Sequence, residues 1–267
     1  MIFKLILLIL LIGPILIFSV ALVFKVVESG YILIFSKPVY LYFYPFPKTL
    51  QPQYILILEN EFPFYKKLSD RRKGYFEHRV CCFIKNYQFI GKDIEITPEM
   101  MIIIAGTYVM LTFGMRQYII QRFTKIIIYP RQYFSTINET YHKGEYNPRL
   151  KAVVFSWEDF LLGHKTSNDN VNLGLHEFAH VLHFHTMKSK DPSAVIFYDE
   201  FTAITKYYSD AALFSKLVSK GYFREYAFEN QFEFLAVLLE HFFESPAIFK
   251  KEFPELYERV RRMINFK

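Results

Sequence analysis

Residues 170–185 read NVNLGLHEFAHVLHFH and hold four of the chain's eight histidines. His176, Glu177 and His180 form an H-E-x-x-H motif within this stretch. Residues four apart lie on one face of a helix, so both imidazoles can reach a single metal ion. Glu177, beside the first histidine, can then accept a proton from water at that ion. The motif therefore predicts a hydrolytic zinc site.

The residues around the motif favour a metal site over a structural role. The apolar side chains near it are Val171, Leu173, Leu175, Phe178, Ala179, Val181 and Leu182. They make the helix apolar on nearly all sides, and burying two imidazoles and a carboxylate there is costly unless they are paired or bind metal. The alternative is a core helix whose histidines hydrogen-bond to the backbone. That explanation suits a single histidine better than this constellation.

A catalytic zinc usually has three protein ligands, so the motif needs a partner from elsewhere. His183 shares a face with His176 and His180, but it lies about 10.5 Å along the axis from the first. With Zn–N bonds of about 2 Å, one ion cannot bind all three on a straight helix. His185 points elsewhere. The metzincin extension needs glycine at 183 and histidine at 186, where this chain has His183 and Thr186.

A second apolar segment, Phe232–Phe243, offers the missing ligand, since its only polar residues are Glu233, Glu240 and His241. An unpaired carboxylate at Glu233, among phenylalanine and leucine, would be strongly disfavoured. Coordination to zinc removes that penalty, so Glu233 is the predicted third ligand. Glu240, two turns later on the same face, is either the alternative ligand or the partner of a ligating histidine.

The amino-terminal segment predicts a membrane anchor within residues 1–25. Leu5–Phe24 holds 20 residues without a charge, between Lys4 and Lys25. A helix of that length spans about 30 Å, the thickness of the bilayer's hydrocarbon core. A cleaved signal peptide is the alternative, with small residues at 19–21, but the apolar run continues past that point. We therefore expect a transmembrane helix that contacts lipid through residues 5–24.

The lysines around this helix predict its orientation. Lys25, Lys37 and Lys48 follow it, whereas only Lys4 and the amino terminus precede it. This bias predicts a single-pass protein of the cell membrane with its catalytic domain in the cytoplasm. Residues 26–58 are rich in aromatics and prolines and form the predicted linker. Its aromatic side chains suit the headgroup interface, but a segment packed on the domain is an equal alternative.

Residues 59–267 have the composition of one mixed domain, and the net charge of +6 is modest. No long basic run with interleaved aromatics is present, so no nucleic-acid partner is expected.

The residues at 97–99, Thr-Pro-Glu, predict a helix start. The charge-free run Met100–Met115 is too short for a second crossing and predicts a core helix. The β-branched runs Lys125–Tyr129 and Ala152–Ser156 predict strands, giving a helix-rich α+β fold with a small sheet.

Beyond these features, the chain resembles the MtfA-like zinc metallopeptidases, the Mlc titration factor A family. The resemblance runs from about Phe62 to Tyr257. The matching stretches are FPFYKKL, FIGKDIEIT, IIIYPRQY, FSW, NVNLGLHEFAH and YAFENQFEFLAVLLEHFFESP. Their order and spacing also agree, which is far more specific than H-E-x-x-H alone.

The resemblance implies a zincin-like fold of the gluzincin type with one Zn²⁺ per chain. His176, His180 and Glu233 fall on the family's ligands, and Glu177 falls on its general base. Tyr226 matches a family tyrosine that assists at the oxyanion. The family also implies aminopeptidase-type activity on peptides or proteins. Its founding member binds the glucose repressor Mlc, a partner that this sequence does not support, and the regulatory partner is unknown.

Two departures from the family pattern bear on the prediction. His183 replaces the aspartate of H-E-F-A-H-x-L-D, and the membrane helix is an addition. The sequence predicts a membrane-anchored zinc peptidase. The alternative is a non-catalytic zinc-containing regulatory or binding protein of the same fold, which His183 favours and the intact Glu177 and Tyr226 oppose. An intramembrane protease is excluded because Lys165 and Lys188 leave too short an apolar run.

Overall fold

The computed structural model describes residues 2–135, 139–166 and 168–266. Its helices are α1 (Ile2–Phe35), α2 (Pro52–Glu61), α3 (Pro63–Lys66), α4 (Asp70–Asn86), α5 (Pro98–Thr112), α6 (Trp157–Lys165), α7 (Leu173–Thr186), α8 (Pro192–Ser209), α9 (Ala211–Ser219), α10 (Gln231–Glu244), α11 (Pro246–Glu252) and α12 (Pro254–Met263). A short 3-10 helix, Glu225–Phe228, precedes α10. The strands are β1 (Gln88–Gly91), β2 (Lys125–Tyr129), β3 (Tyr133–Ser135), β4 (Thr140–His142), β5 (Gly144–Asn147) and β6 (Ala152–Ser156). The predicted helix-rich fold with a small sheet is confirmed.

The main sheet has the strand order β1-β2-β6-β5. Strands β1, β2 and β6 are parallel, while β5 pairs antiparallel with β6. The two predicted strands, β2 and β6, are neighbours in the middle of this sheet, with Ile126 opposite Val153. All of β6 is buried, as expected for a central strand with both faces covered. Strand β5 forms the edge beside α7, where the candidate site lies.

Helix α5 is buried along most of its length, as its charge-free sequence predicts. Its first turn is capped by Thr97, whose hydroxyl accepts a hydrogen bond from the backbone N–H of Met100. It ends at Thr112, where the buried guanidinium of Arg79 donates to the carbonyl oxygens of Thr112 and Met115, both at 2.8 Å. Because the last carbonyls of a helix have no intrahelical partner, this buried cation caps the end of α5.

Helices α7 and α10 pack against each other, and α5 packs on another side of α7. Helices α7 and α10 each begin at an asparagine cap. The Asn172 side chain accepts from the backbone N–H of Leu175, and that of Asn230 accepts from Glu233. Phe178 of α7 faces the core with its ring 5.0 Å from that of Tyr108 in α5. This packing turns the opposite face of α7 toward α10.

Helix α1 continues ten residues past the boundary expected at residue 25, to Phe35. Within it, residues 10–35 are long and apolar enough to cross a membrane or to serve as a signal sequence. Glu28 interrupts the apolar pattern, but it is 7% exposed and lies 2.6 Å from Arg116. Arg116 also pairs with Asp191, which caps α8. The end of α1 is therefore fixed to the domain by a network of ion pairs.

The aromatic segment that follows α1 packs on the domain. The Tyr42 hydroxyl donates to the carbonyl of Phe113 at 2.8 Å, and Tyr44 accepts from Arg79 at 2.7 Å. Phe43, between these two tyrosines, is 76% exposed, and Phe46, two residues after Tyr44, is 89% exposed. The segment thus has an inner face that belongs to the domain and an outer face that is apolar.

Candidate metal centre

Two histidines of α7 and one glutamate of α10 converge on one point. Ligand atoms of His176, His180 and Glu233 all lie within 4.8 Å of one another. The Nε2 atom of His176 is 2.8 Å from Glu233 Oε2, and that of His180 is 3.5 Å from Glu233 Oε1. The H-E-x-x-H spacing places both imidazoles on one helix face, and the first turn of α10 supplies the carboxylate.

The donor set fits a zinc ion. Tetrahedral ligands with bonds of about 2.0 Å lie about 3.3 Å apart, close to the separations found here. Glu233 Oε2 is buried and lies 2.8 Å from His176 Nε2. Burial lowers the pKa of His176, but the carboxylates of Glu233 and Glu240 outweigh it and raise the pKa to about 10. Metal binding is therefore expected to release a proton.

Glu240 fixes the tautomer of His176. Its Oε1 atom lies 2.9 Å from His176 Nδ1, and the carboxylate is only 1% exposed. A hydrogen bond from Nδ1–H leaves the Nε2 lone pair free to face Glu233 and His180, as ligation requires. Arg224 neutralises Glu240, with its Nη2 atom 3.1 Å from Oε1. The sequence offers two carboxylates as the third ligand. In the structure Glu233 lies in the cluster, whereas Glu240 contacts the opposite ring nitrogen of His176.

We expect Glu240→Gln to weaken metal binding by about 10- to 100-fold while the fold persists. The amide can still accept from His176, but it loses the negative charge that makes the imidazole a better ligand and that neutralises Arg224. Zinc affinity would be measured by competition with a chromophoric chelator. Glu95→Gln, at an exposed carboxylate in the loop before α5, is the control. Equal affinities in both variants would contradict this role for Glu240.

Glu177 is buried at the edge of the sheet, where β5 approaches α7. The backbone of Tyr146 in β5 lowers the pKa of its carboxylate. Gly144 permits this approach, because a β-carbon there would lie 3.0 Å from Glu177 Cγ and 2.7 Å from Leu173 Cδ1. Burial raises the pKa of Glu177, while the charges of His176 and His180 oppose that shift. A carboxylate whose pKa rises toward neutral is better suited to act as a general base.

Tyr226 lies in the 3-10 helix before α10, with its ring 5.7 Å from that of His176. It is 42% exposed, so a ligand in the site can reach its hydroxyl. Burial, and then the carboxylate of Glu233, raise the pKa of Tyr226 well above its usual value. The hydroxyl therefore stays protonated and can donate a hydrogen bond. A cavity of about 290 Å³ opens beside these residues, with Lys143 and Arg224 in its wall.

The two remaining histidines of the motif region lie outside the cluster. His183 packs between the rings of Phe201 and Phe232, at 4.4 and 4.7 Å, and burial lowers its pKa to about 4. Burial likewise lowers the pKa of His185 to about 4. One ring nitrogen of each has no hydrogen-bond partner in the part of the chain that the structure describes. Neither imidazole takes part in the site.

Two contributors to the site were not predicted from the sequence. Arg224 bonds to Glu240 and also donates to the carbonyl of Asn170, which holds the loop before α7. Because a buried carboxylate needs a cation, Glu240 in its apolar segment indicates that a basic partner exists. The sequence does not indicate which arginine or lysine that partner is. Gly144 has no such signal, because its role depends on the distance between β5 and α7.

Comparisons with known proteins identify the family of this chain. The model of the glucose-regulated metallo-peptidase M90 family matches residues 46–264. The uncharacterized protein slr2042 of Synechocystis sp. is 26% identical over 237 residues, which cover 81% of this chain and 85% of that protein. Membership of the family implies a metallopeptidase and therefore a metal, and the cluster of two histidines and a glutamate could hold one. The chain therefore belongs to the M90 family of glucose-regulated metallopeptidases, the MtfA family.

Proposed function

We propose that the protein is a membrane-anchored zinc peptidase with a zincin-like fold of the gluzincin type. One Zn²⁺ per chain is held by His176, His180 and Glu233. The observation that carries this proposal is their convergence beside the buried carboxylate of Glu177. Two imidazoles and a carboxylate are typical zinc ligands, whereas magnesium and calcium prefer sites built from oxygen. The substrate is a peptide or protein, and the aminopeptidase type implied by the resemblance stays a prediction.

Three residues of the chain have separate roles in the proposed hydrolysis. When bound, zinc supplies a Lewis acid that polarises a carbonyl and lowers the pKa of water toward about 7. Glu177 takes the proton of the attacking water and passes it to the leaving amine. Tyr226 donates a hydrogen bond to the developing oxyanion, worth on the order of 3 kcal/mol. Glu240 keeps His176 in the tautomer that faces the other ligands.

The direct test is metal analysis of the purified full chain together with a peptide-cleavage assay. We expect about one zinc per chain. Cleavage should stop on chelation and return when zinc is restored. A chain that holds no zinc and whose cleavage is indifferent to chelation would overturn the proposal.

A regulatory protein of the same fold is the second candidate, and His183 is the observation that favours it. The family aspartate at this position is replaced by an imidazole packed between Phe201 and Phe232. It therefore cannot supply an acid to orient a ligand. In this candidate the chain binds zinc without hydrolysing peptides, so zinc retention with no cleavage of any peptide would favour it.

We further propose that residues 5–24 span the cell membrane and that the domain faces the cytoplasm. Deleting residues 1–25 should release the protein from membranes and leave its peptidase activity unchanged, because Glu28 and its ion pair with Arg116 remain. Sedimentation of the full and truncated chains with membranes would be compared, with cleavage assayed in both. If the truncated chain still sediments with membranes, the aromatic segment 31–46 is the anchor instead.

A further inference from the structure

A cavity of about 390 Å³ lies where α1 ends and the aromatic segment turns back onto the domain. Its main lining side chains are Tyr31, Lys37, Tyr42, Arg71, Arg72 and Tyr75. Tyr42 and Tyr75 stack with their rings 4.7 Å apart. Among the described residues that line it, none is an aspartate or a glutamate. We call this cavity the basic pocket.

In the part of the chain that the structure describes, the cations of the basic pocket form no ion pair with an acidic residue. None of the ion pairs in residues 2–135, 139–166 and 168–266 includes Lys37, Arg71 or Arg72. The nearby Arg116 differs, since it is neutralised by Glu28. Arg71 uses its Nε to donate to the Tyr75 hydroxyl, which orients its guanidinium. Three positive side chains around one cavity favour an anion, and guanidinium groups match the oxygens of a phosphate.

The position of the pocket indicates where that anion comes from. The Tyr40 ring lies 6.4 Å from Phe24, so the segment after α1 runs back to the end of the predicted span. Tyr31, which lines the pocket, contacts Phe35 on the outer face of α1 at 4.6 Å. Phe35, which contacts Tyr31, and Phe43, next to Tyr42 in sequence, are 53% and 76% exposed. A phosphate in the pocket would therefore lie next to apolar side chains, close to the end of the proposed membrane span.

We propose that the basic pocket binds the phosphate group of an anionic membrane lipid. The cations hold the phosphate, and the exposed apolar residues contact the acyl chains. Free inorganic phosphate shares the first interaction but not the second, which is why we assign the lipid. Binding would fix the catalytic domain against the membrane surface. This inference rests on the membrane anchor of the proposed function and not on its peptidase chemistry.

The test uses the full chain in lipid nanodiscs, with thermal unfolding as the readout. Phosphatidylcholine discs are compared with discs that also contain phosphatidylglycerol, and with phosphatidylcholine discs in added inorganic phosphate. A ligand that binds the folded state raises the unfolding midpoint. We expect phosphatidylglycerol to raise it by about 2–4 °C or more, and inorganic phosphate to raise it less.

Lys37→Gln with Arg71→Gln is the informative double variant, because both residues are exposed and line the pocket. It should lose the phosphatidylglycerol-dependent shift and keep the wild-type midpoint in phosphatidylcholine. Lys216→Gln with Lys251→Gln removes the same charge elsewhere on the surface and should keep the shift.

Three results would overturn the inference. Equal shifts in the two double variants would mean general attraction to an anionic surface. An equal shift with inorganic phosphate alone would make the pocket a free-phosphate site. A full chain that does not enter the discs would instead remove the membrane anchor, and with it the lipid.

Discussion

Glu233→Ala should lower the zinc content of the purified chain from about one per molecule to background and abolish peptide cleavage. Glu233 is the proposed ligand from α10, and its loss leaves two members of the described cluster, the histidines of α7. Two imidazoles on one helix do not hold a catalytic zinc at ordinary free-metal levels. Zinc content would be measured by elemental analysis after dialysis, and cleavage with the same peptides as for the wild type.

The matched control is Glu229→Ala, which removes an exposed carboxylate four residues away and outside the metal cluster. It should keep both zinc and activity. His176→Ala should behave like Glu233→Ala, since it removes a ligand from the other helix. Full zinc retention in Glu233→Ala would move the third ligand elsewhere, first of all to Glu240, whose Oε1 lies 2.9 Å from His176 Nδ1.

The elements that the sequence predicts well are those with a strong local pattern. Helix α5 begins at the expected cap, Thr97, and both β-branched runs are strands with the predicted bounds, Lys125–Tyr129 and Ala152–Ser156. Strands β1 and β5, of sequence QFIG and GEYN, have no apolar run or alternation. They are strands because β2 and β6 offer them hydrogen-bond partners, and this long-range effect is not visible locally.

The predicted anchor ends at residue 25, whereas helix α1 ends at Phe35. The anchor bound is set where Lys25 ends the charge-free run. In the structure Glu28 is buried against Arg116, 88 residues away. An ion pair between distant positions lets the helix continue, because it satisfies a charge that would otherwise stop it from packing on the domain. The helix ends at Phe35, where Ser36 follows with a positive φ of 49°.

The candidate metal site was predictable because its ligands carry their own spacing. His176 and His180 are four residues apart on a helix, and Glu233 is a carboxylate in an apolar run. Arg224 was not predictable, because it reaches Glu240 from the position just before a short 3-10 helix, whose placement depends on the whole domain. Patterns of one element thus identify ligands, whereas the residues that orient those ligands come from tertiary contacts.

Glu177→Gln should abolish measurable hydrolysis while the zinc content and the fold stay those of the wild type. Glutamine keeps the shape of glutamate, which matters because the space beside this carboxylate is narrow. A β-carbon added to Gly144, for example, would lie only 3.1 Å from Glu177 Oε1. The amide can still hydrogen-bond to water, but it cannot accept a proton at neutral pH. Loss of a general base lowers the rate by about 10² to 10⁴. The measurement is kcat/KM on a cleaved peptide, with zinc determined on the same sample.

Tyr226→Phe supplies the comparison that makes this prediction specific. It removes one donor to the oxyanion and leaves zinc in place, so its loss of activity should be smaller than that of Glu177→Gln. The expected order of rates is wild type, then Tyr226→Phe, then Glu177→Gln. Wild-type cleavage by Glu177→Gln would mean that a contaminant carries the activity or that another group is the base. The reverse order of the two variants would contradict the assignment of the proton transfer to Glu177, since a hydrogen-bond donor would then matter more than the base.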